Sequence, residues 1–189
     1  LGELSRVGYL LRTLKTYNMY ERPRLQQLGI RRFLEQFLSV VSEDFRDRGI
    51  TITTSIEPDA ETCQADPRAL QQVLLNFLTN AVDALQGRAD PLISLRVMRK
   101  DGMILIQVED NGCGMTDEEQ RALFKPFYTT KAKGTGLGLV IVKKMLTTMQ
   151  GTIRISSTKN SGTVVNVTLP DGLQDQEAGH HFAERGQRA

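Results

Sequence analysis

Residues Val108 to Leu139 read VEDNGCGMTDEEQRALFKPFYTTKAKGTGLGL, two glycine clusters bracketing a loop too polar and too broken to form core. The apolar run Met103 to Val108 leads straight into DNGCG. Asp110 therefore stands at a strand's end, where Gly112 and Gly114 let the backbone turn sharply and approach a bound ring. The second cluster, Gly134, Thr135, Gly136, Leu137 and Gly138, opens a helix. Glycines there leave free N–H groups at the positive end of a helix dipole, which suits phosphate. DNG alone is a common turn and a lone GxGxG is weak evidence, but the pairing is far more specific. About 15 residues without periodicity separate a short helix near Asp117 to Leu123 from the helix near Leu137. A loop of that length in a compact domain is usually a lid or a binding loop.

Upstream, PRALQQVLLNFLTNAVDALQG follows Asp66, an N-cap with Pro67 at the first helical position. Leu70, Val73, Leu74, Phe77, Leu78, Ala81 and Leu85 form its apolar stripe. Asn76, Asn80 and Asp83 fall at i, i+4 and i+7 and line one edge. Amides are indifferent helix formers, so a pair of them one turn apart is either solvated or placed for a ligand. An amide oxygen is a good neutral ligand for a magnesium ion already held by phosphates. With the glycine loop, this helix points to a nucleotide whose phosphates the lid covers.

The sheet lies beyond Gly87. Ile93, Leu95 and Val97 share a face, Lys100-Asp101-Gly102 makes a hairpin turn, and Ile104, Ile106 and Val108 share a face that leads to Asp110. By parity Asp110 continues the buried side. A buried carboxylate needs donors, and the exocyclic amine of adenine would supply one. After the lid, Leu137 to Gln150 reads as an amphipathic helix ended by Gly151. Ile153 and Ile155 mark a strand, Lys159 to Gly162 a turn, and Thr163, Val165, Val167 and Leu169 alternate to Pro170. From Asp171 onward the chain is polar and without apolar periodicity, a disordered tail by composition, whose His180 and His181 read as solvated rather than catalytic.

At the other end, Leu4, Val7, Leu11, Leu14 and Asn18 follow a spacing of three and four, a short coiled-coil seam stopped by Pro23. Two heptads are marginal alone, so this helix either packs on something outside the sequence, on a second copy, or on the domain's own surface. Ile30 to Arg48 reads as a helix with Phe33, Leu34, Phe37, Leu38, Val41 and Phe45 on one side and Gly49 as its C-cap. Ile50, Ile52 and Thr54 then alternate as in a half-buried strand.

The 189 residues are 40% hydrophobic and 24% charged, with a net charge of +2 and both signs mixed. That is enough for one well-buried domain and a smaller element, and it lacks the basic stripe of a nucleic-acid surface. No apolar run reaches the roughly 18 residues of a membrane span. Cys63 and Cys113 have no metal-ligand spacing, which leads to the expectation of a reduced, cytosolic compartment. Cys113 reads as a small filler of the glycine turn rather than a nucleophile.

These motifs, assembled, resemble the catalytic and ATP-binding domain of bacterial sensor histidine kinases, within the GHKL ATPase superfamily, over residues 25 to 170. QVLLNFLTNAVDAL resembles the N box, VEDNGCGM the first glycine box, LFKPFYTT the F box, GTGLGL the second glycine box, and SGTVVNVTLP the closing strand. The asparagine helix with DAL, PFYTTK and a short lid is most similar to the nitrogen-regulation and dicarboxylate-sensor branch. The resemblance implies an α+β Bergerat fold, a two-layer sandwich of mixed sheet and helices, with ATP and magnesium between helix and lid. It implies Asp110 as adenine acceptor with Thr163 close by, Asn76 and Asn80 toward magnesium and phosphates, Lys131 on the phosphates, and Gly134, Gly136 and Gly138 as the lid's pivots. Lys133 could substitute for Lys131.

Two departures bear on activity. The hydrolysing relatives carry a glutamate one helical turn before the magnesium asparagine, where this chain has Asn76; an amide cannot accept the proton, which favours phosphoryl transfer over hydrolysis. No histidine precedes Asn76. Residues 1–22 resemble the later part of the second helix of a dimerisation and phosphotransfer hairpin, followed by the catalytic domain at 23–170 and the tail at 171–189. The expectation is a kinase module that delivers the γ-phosphate to a histidine on a dimerisation domain, homodimeric in the full protein, for relay to a response-regulator aspartate. It would be cytoplasmic, as a free protein or as the cytoplasmic part of a membrane-anchored sensor. The alternative is a nucleotide-sensing module of the same superfamily that switches a partner without transferring phosphate.

Overall fold

The structure is a computed structural model that describes residues 23–131 and 134–172. The N-terminal seam, Lys133 and the tail histidines lie outside the described residues. In chain order the elements are β1 (Gln26–Gly29), α1 (Ile30–Asp47), β2 (Thr51–Ile56), β3 (Thr62–Ala65), α2 (Pro67–Ala84), β4 (Leu92–Lys100), β5 (Met103–Asp110), α3 (Asp117–Ala122), α4 (Gly138–Thr148), β6 (Thr152–Thr158) and β7 (Gly162–Pro170). Five strands form one mixed sheet in the order β2-β4-β5-β7-β6, with β2 parallel to β4 and the other neighbours antiparallel. β1 and β3 pair in a separate antiparallel ribbon.

Period-2 patterning decides which face of the sheet is covered. Ile93, Leu95, Val97, Ile104, Ile106, Val108, Val167 and Leu169 are buried against the apolar stripes of α1, α2 and α4 in one hydrophobic cluster. The opposite face carries polar pairs such as Gln107–Asn166 at 3.0 Å and Arg96–Glu109 at 3.7 Å. The α+β two-layer arrangement expected from the sequence is the one observed. The β4–β5 turn places Asp101 (φ 52°) and Gly102 (φ 71°) in the left-handed region, which a two-residue hairpin requires.

α2 starts where Asp66 predicts. Its carboxylate accepts the N–H groups of Arg68 (2.9 Å) and Ala69 (3.2 Å), and Pro67 has no N–H to leave unpaired. The other carboxylate oxygen accepts the Arg24 N–H at 2.8 Å, tying the start of the domain to the helix.

The pattern missed the ribbon, because Gln26–Gly29 and Thr62–Ala65 are four residues each, too short to show alternation. The folded part also runs past Pro170. Asp171 is 3% exposed and pairs with Arg99 of β4 at 2.6 Å, so its polarity marks a buried ion pair rather than the start of a solvated tail. Among the described residues no helix is long and apolar enough to cross a membrane.

Candidate functional site

A cleft of about 870 Å³ opens between α2, the C-terminal end of β5, the start of β7 and the loop that precedes α4. Its walls bring together Asn76, Asn80, Asp83, Asp110, Gly114, Lys131, Gly134, Thr135, Gly136, Gly138 and Thr163, residues spread over almost ninety positions of sequence. Gly112 and Leu137 stand outside the wall. Gly112 lies behind Asp110, where a Cβ would come within 2.7 Å of Ala84, and Leu137 is the N-cap residue of α4.

At the sheet end, Asp110 is 9% exposed and directly opposite Thr163 on β7. Its Oδ1 accepts the Gly112 N–H at 2.8 Å. Burial pushes the Asp110 carboxyl above its ordinary range, opposed by the backbone N–H groups of Gly112 and Thr163 and by the positive charge of Arg88; the neighbouring Glu109 charge adds to the upward push. The turn after Asp110 is pinned on several sides. The Cys113 N–H donates to the Ala84 carbonyl at 2.9 Å, and the Cys113 carbonyl accepts the Asn160 N–H at 2.7 Å. Arg88 Nη2 donates to the carbonyls of Gly112 (2.5 Å) and Asn160 (2.6 Å). Gly114 (φ 59°) and Gly162 (φ 117°) fit where any Cβ would strike the Thr158 and Asp110 carbonyls respectively. Cys113 does not fill the turn as expected: its side chain is exposed. Cys63 is the buried one, with its thiol pushed up to about 12 by burial.

At the helix end, the side chains on the polar edge of α2 touch one another. Asn80 Nδ2 donates to Asn76 Oδ1 at 3.1 Å, and the Lys131 ammonium sits 2.6 Å from both Asn80 Oδ1 and Asp83 Oδ2. A positive group thus already occupies the point on which an amide oxygen and a carboxylate converge, and a metal cation fits the same donor set. Asp83 joins Asn80 there, on the helix edge where the spacing put both. Asn76 faces a different neighbour: a Cβ on Gly138 would come within 2.5 Å of its Nδ2, so the glycine lets the amide meet the start of α4. That helix has no side-chain cap, and its first residues, Gly138 and Leu139, line the cleft. Among the described residues no group of three or more His, Cys, Asp or Glu could hold a metal.

The short helix ahead of the loop, α3, starts at a capping box, Thr116 with Glu119. At the base of the loop the Phe127 N–H donates to the Gly136 carbonyl at 3.1 Å, with Phe127 (φ 66°) and Gly136 (φ 66°) both in the left-handed region. Arg88, Gln120 and Ser157 were not singled out by sequence. Arg88 bonds carbonyls 24 and 72 residues away, Gln120 bonds Ser157 37 residues on, and Ser157 also bonds Met115 42 residues back, so no local pattern announces them.

Residues 65–173 match the family described as histidine kinase-, DNA gyrase B- and HSP90-like ATPase. The chain is 36% identical to the sensor histidine kinase ZraS of Klebsiella oxytoca, over 82% of this chain and 34% of that protein. It is 31% identical to the signal transduction histidine-protein kinase AtoS of Escherichia coli (strain K12), over 94% of this chain and 29% of that protein. The chain therefore spans about a third of the length of the curated relatives it matches. Among solved structures, full-length ShkA in complex with AMPPNP superposes with a TM-score of 0.75 at 24% identity, covering 87% of this chain and 36% of that one, which is a likeness of fold. With one cleft formed by the motif residues and with these relatives, the chain belongs to the histidine kinase-, DNA gyrase B- and HSP90-like ATPase family.

Proposed function

We propose that the chain is the ATP-binding catalytic domain of a two-component sensor histidine kinase, which transfers the ATP γ-phosphate to a histidine on a dimerisation domain for relay to a response-regulator aspartate. The observation that carries this reading is the polarity of the cleft: a buried acceptor carboxylate at one end and, within the same cavity, an amide and carboxylate set gathered around a cation at the other. Asp110, with Thr163, accepts from the adenine amine. Gly112 and Gly114 shape the turn beneath the base, and Gly134, Thr135, Gly136, Leu137 and Gly138 bring the uncapped end of α4 to the phosphates. Asn80 and Asn76, with Asp83 beside them, face magnesium, which when bound neutralises phosphate charge. Lys131 leaves Asp83 for the phosphates. Asn76 offers no proton acceptor for water, which keeps hydrolysis slow. These residues would position and screen the transferred group rather than react with it.

Mixing this chain with the histidine-bearing hairpin domain of its parent and γ-labelled ATP should label the hairpin. An unlabelled hairpin at saturating nucleotide would refute transfer and favour the nucleotide-sensing alternative. Asn80→Ala should weaken magnesium-dependent ATP binding by about tenfold while sparing metal-free ADP binding. Equal loss with and without metal would contradict the ligand role.

A further inference from the structure

Three side chains stand in one row across the sheet: Asp110 on β5, Thr163 opposite it on β7, and Ser157 opposite Thr163 on β6. Asp110 and Thr163 line the cleft, and Ser157 stands behind them. The Ser157 hydroxyl has three partners. It accepts the Met115 N–H at 2.9 Å, donates to the Gly162 carbonyl at 2.8 Å and lies 2.9 Å from Thr163 Oγ1. A hydroxyl has one proton to give and two lone pairs to receive with. The N–H can only donate and the carbonyl can only accept. All three contacts are therefore satisfied in one way: Thr163 gives its proton to Ser157. Gln120 removes the slack, since its amide bonds both the N–H (3.0 Å) and the C=O (2.8 Å) of Ser157 and holds that residue in place.

With its proton committed, Thr163 Oγ1 shows the cleft only lone pairs, and the neighbouring ionised Asp110 is acceptor-only as well. We propose that Ser157 is a specificity-determining residue of the nucleotide site: by fixing the direction of the Thr163 hydroxyl, it makes the row read an amino group at C6 of a purine and reject a carbonyl there. The inference rests on the nucleotide reading above. An intervening water leaves the logic intact, because a water bound to both acceptors gives them both its protons and offers the ring lone pairs alone. An amine answers lone pairs, whereas a C6 carbonyl repels them.

Calorimetry of the full chain without metal, comparing ADP with inosine diphosphate, tests this: the two differ at C6 by amine against carbonyl and at N1 by acceptor against N–H donor, and the wild type and the Ser157 variants meet the same pair of bases. The wild type should prefer ADP. Ser157→Ala frees the Thr163 hydroxyl to donate, and the ratio of the two dissociation constants should fall about tenfold. Ser157→Thr keeps a hydroxyl and should keep the ratio. In the Thr163→Val background, Ser157→Ala should change the ratio no further, because no hydroxyl remains to be directed. An unchanged ratio in Ser157→Ala, or an equal fall in the Thr163→Val background, overturns the inference while ADP binding still supports the nucleotide site. Should Ser157→Ala not fold, Ser157→Cys, a weak thiol donor, makes the same comparison, and an undiminished ratio there overturns it equally. A wild-type chain that binds neither nucleotide removes the site itself.

Discussion

At the scale of the residue, Asp110 is an acid kept where the fold would prefer a neutral group. Its folded pKa lies above the ordinary 3.8, so the stability linked to its protonated form is complete below that value and is lost as pH rises through the folded value. Near neutrality the carboxylate is a cost to folding. Asp110→Asn is therefore expected to raise the apo melting temperature by a degree or two, on the order of what a fraction of a kcal/mol gives in a domain of this size, while weakening ADP binding by about a hundredfold. A variant that melts several degrees lower with unchanged affinity would contradict both halves. In the wild type, ADP affinity should fall on acidification at a pH above 3.8, as the acceptor gains a proton; a pH series of binding isotherms checks this. Asp110 was legible because strand parity carries its burial. Arg88 was not, since its two carbonyl partners lie 24 and 72 residues away and depend on how loops converge.

At the scale of the element, the helices announced themselves through end signals as much as through stripes. α2 was readable from Asp66-Pro67 and its apolar positions, and the side chain of Asp66 does more than cap. It satisfies three N–H groups, two in the first turn and one from Arg24. Asp66→Ala should cost about 2 kcal/mol, the upper range for a cap, and lower the melting temperature by roughly 4–8 °C. Thermal denaturation followed by circular dichroism measures it, and a loss below a degree would mean that water replaces the carboxylate at all three donors. β1 and β3 escaped reading for the converse reason. Their pairing is specified by the strand opposite, Leu28 against Cys63 and Gly29 against Thr62, rather than by anything inside four residues.

At the scale of the whole molecule, long-range polar contacts close the domain. Arg99 and Asp171 join the end of β7 to β4 with an acid that is almost wholly buried, and the Thr62 hydroxyl donates to the Asp171 carbonyl at 3.4 Å. Asp171→Ala should lower urea stability by about 2 kcal/mol with an unchanged m-value, less than a fully buried pair would lose because Arg99 stays partly hydrated. A shift of only a few tenths would mean the pair is incidental. Lys131 with Asp83 is the opposite case: both side chains are about two-fifths exposed, so the contact contributes under about 1 kcal/mol and yields readily. Composition and motif order conveyed the cleft as a whole. The couplings across it belong to the assembled sheet and could be read only there. One of them lies at the margin of the sheet. β6 is an outer strand of the sheet, a place where unpaired peptide groups invite a foreign strand to add. By bonding both the N–H and the C=O of Ser157, the Gln120 amide imitates the missing neighbour at that point, so a single side chain that steadies the pocket also occupies two peptide groups an added strand would use.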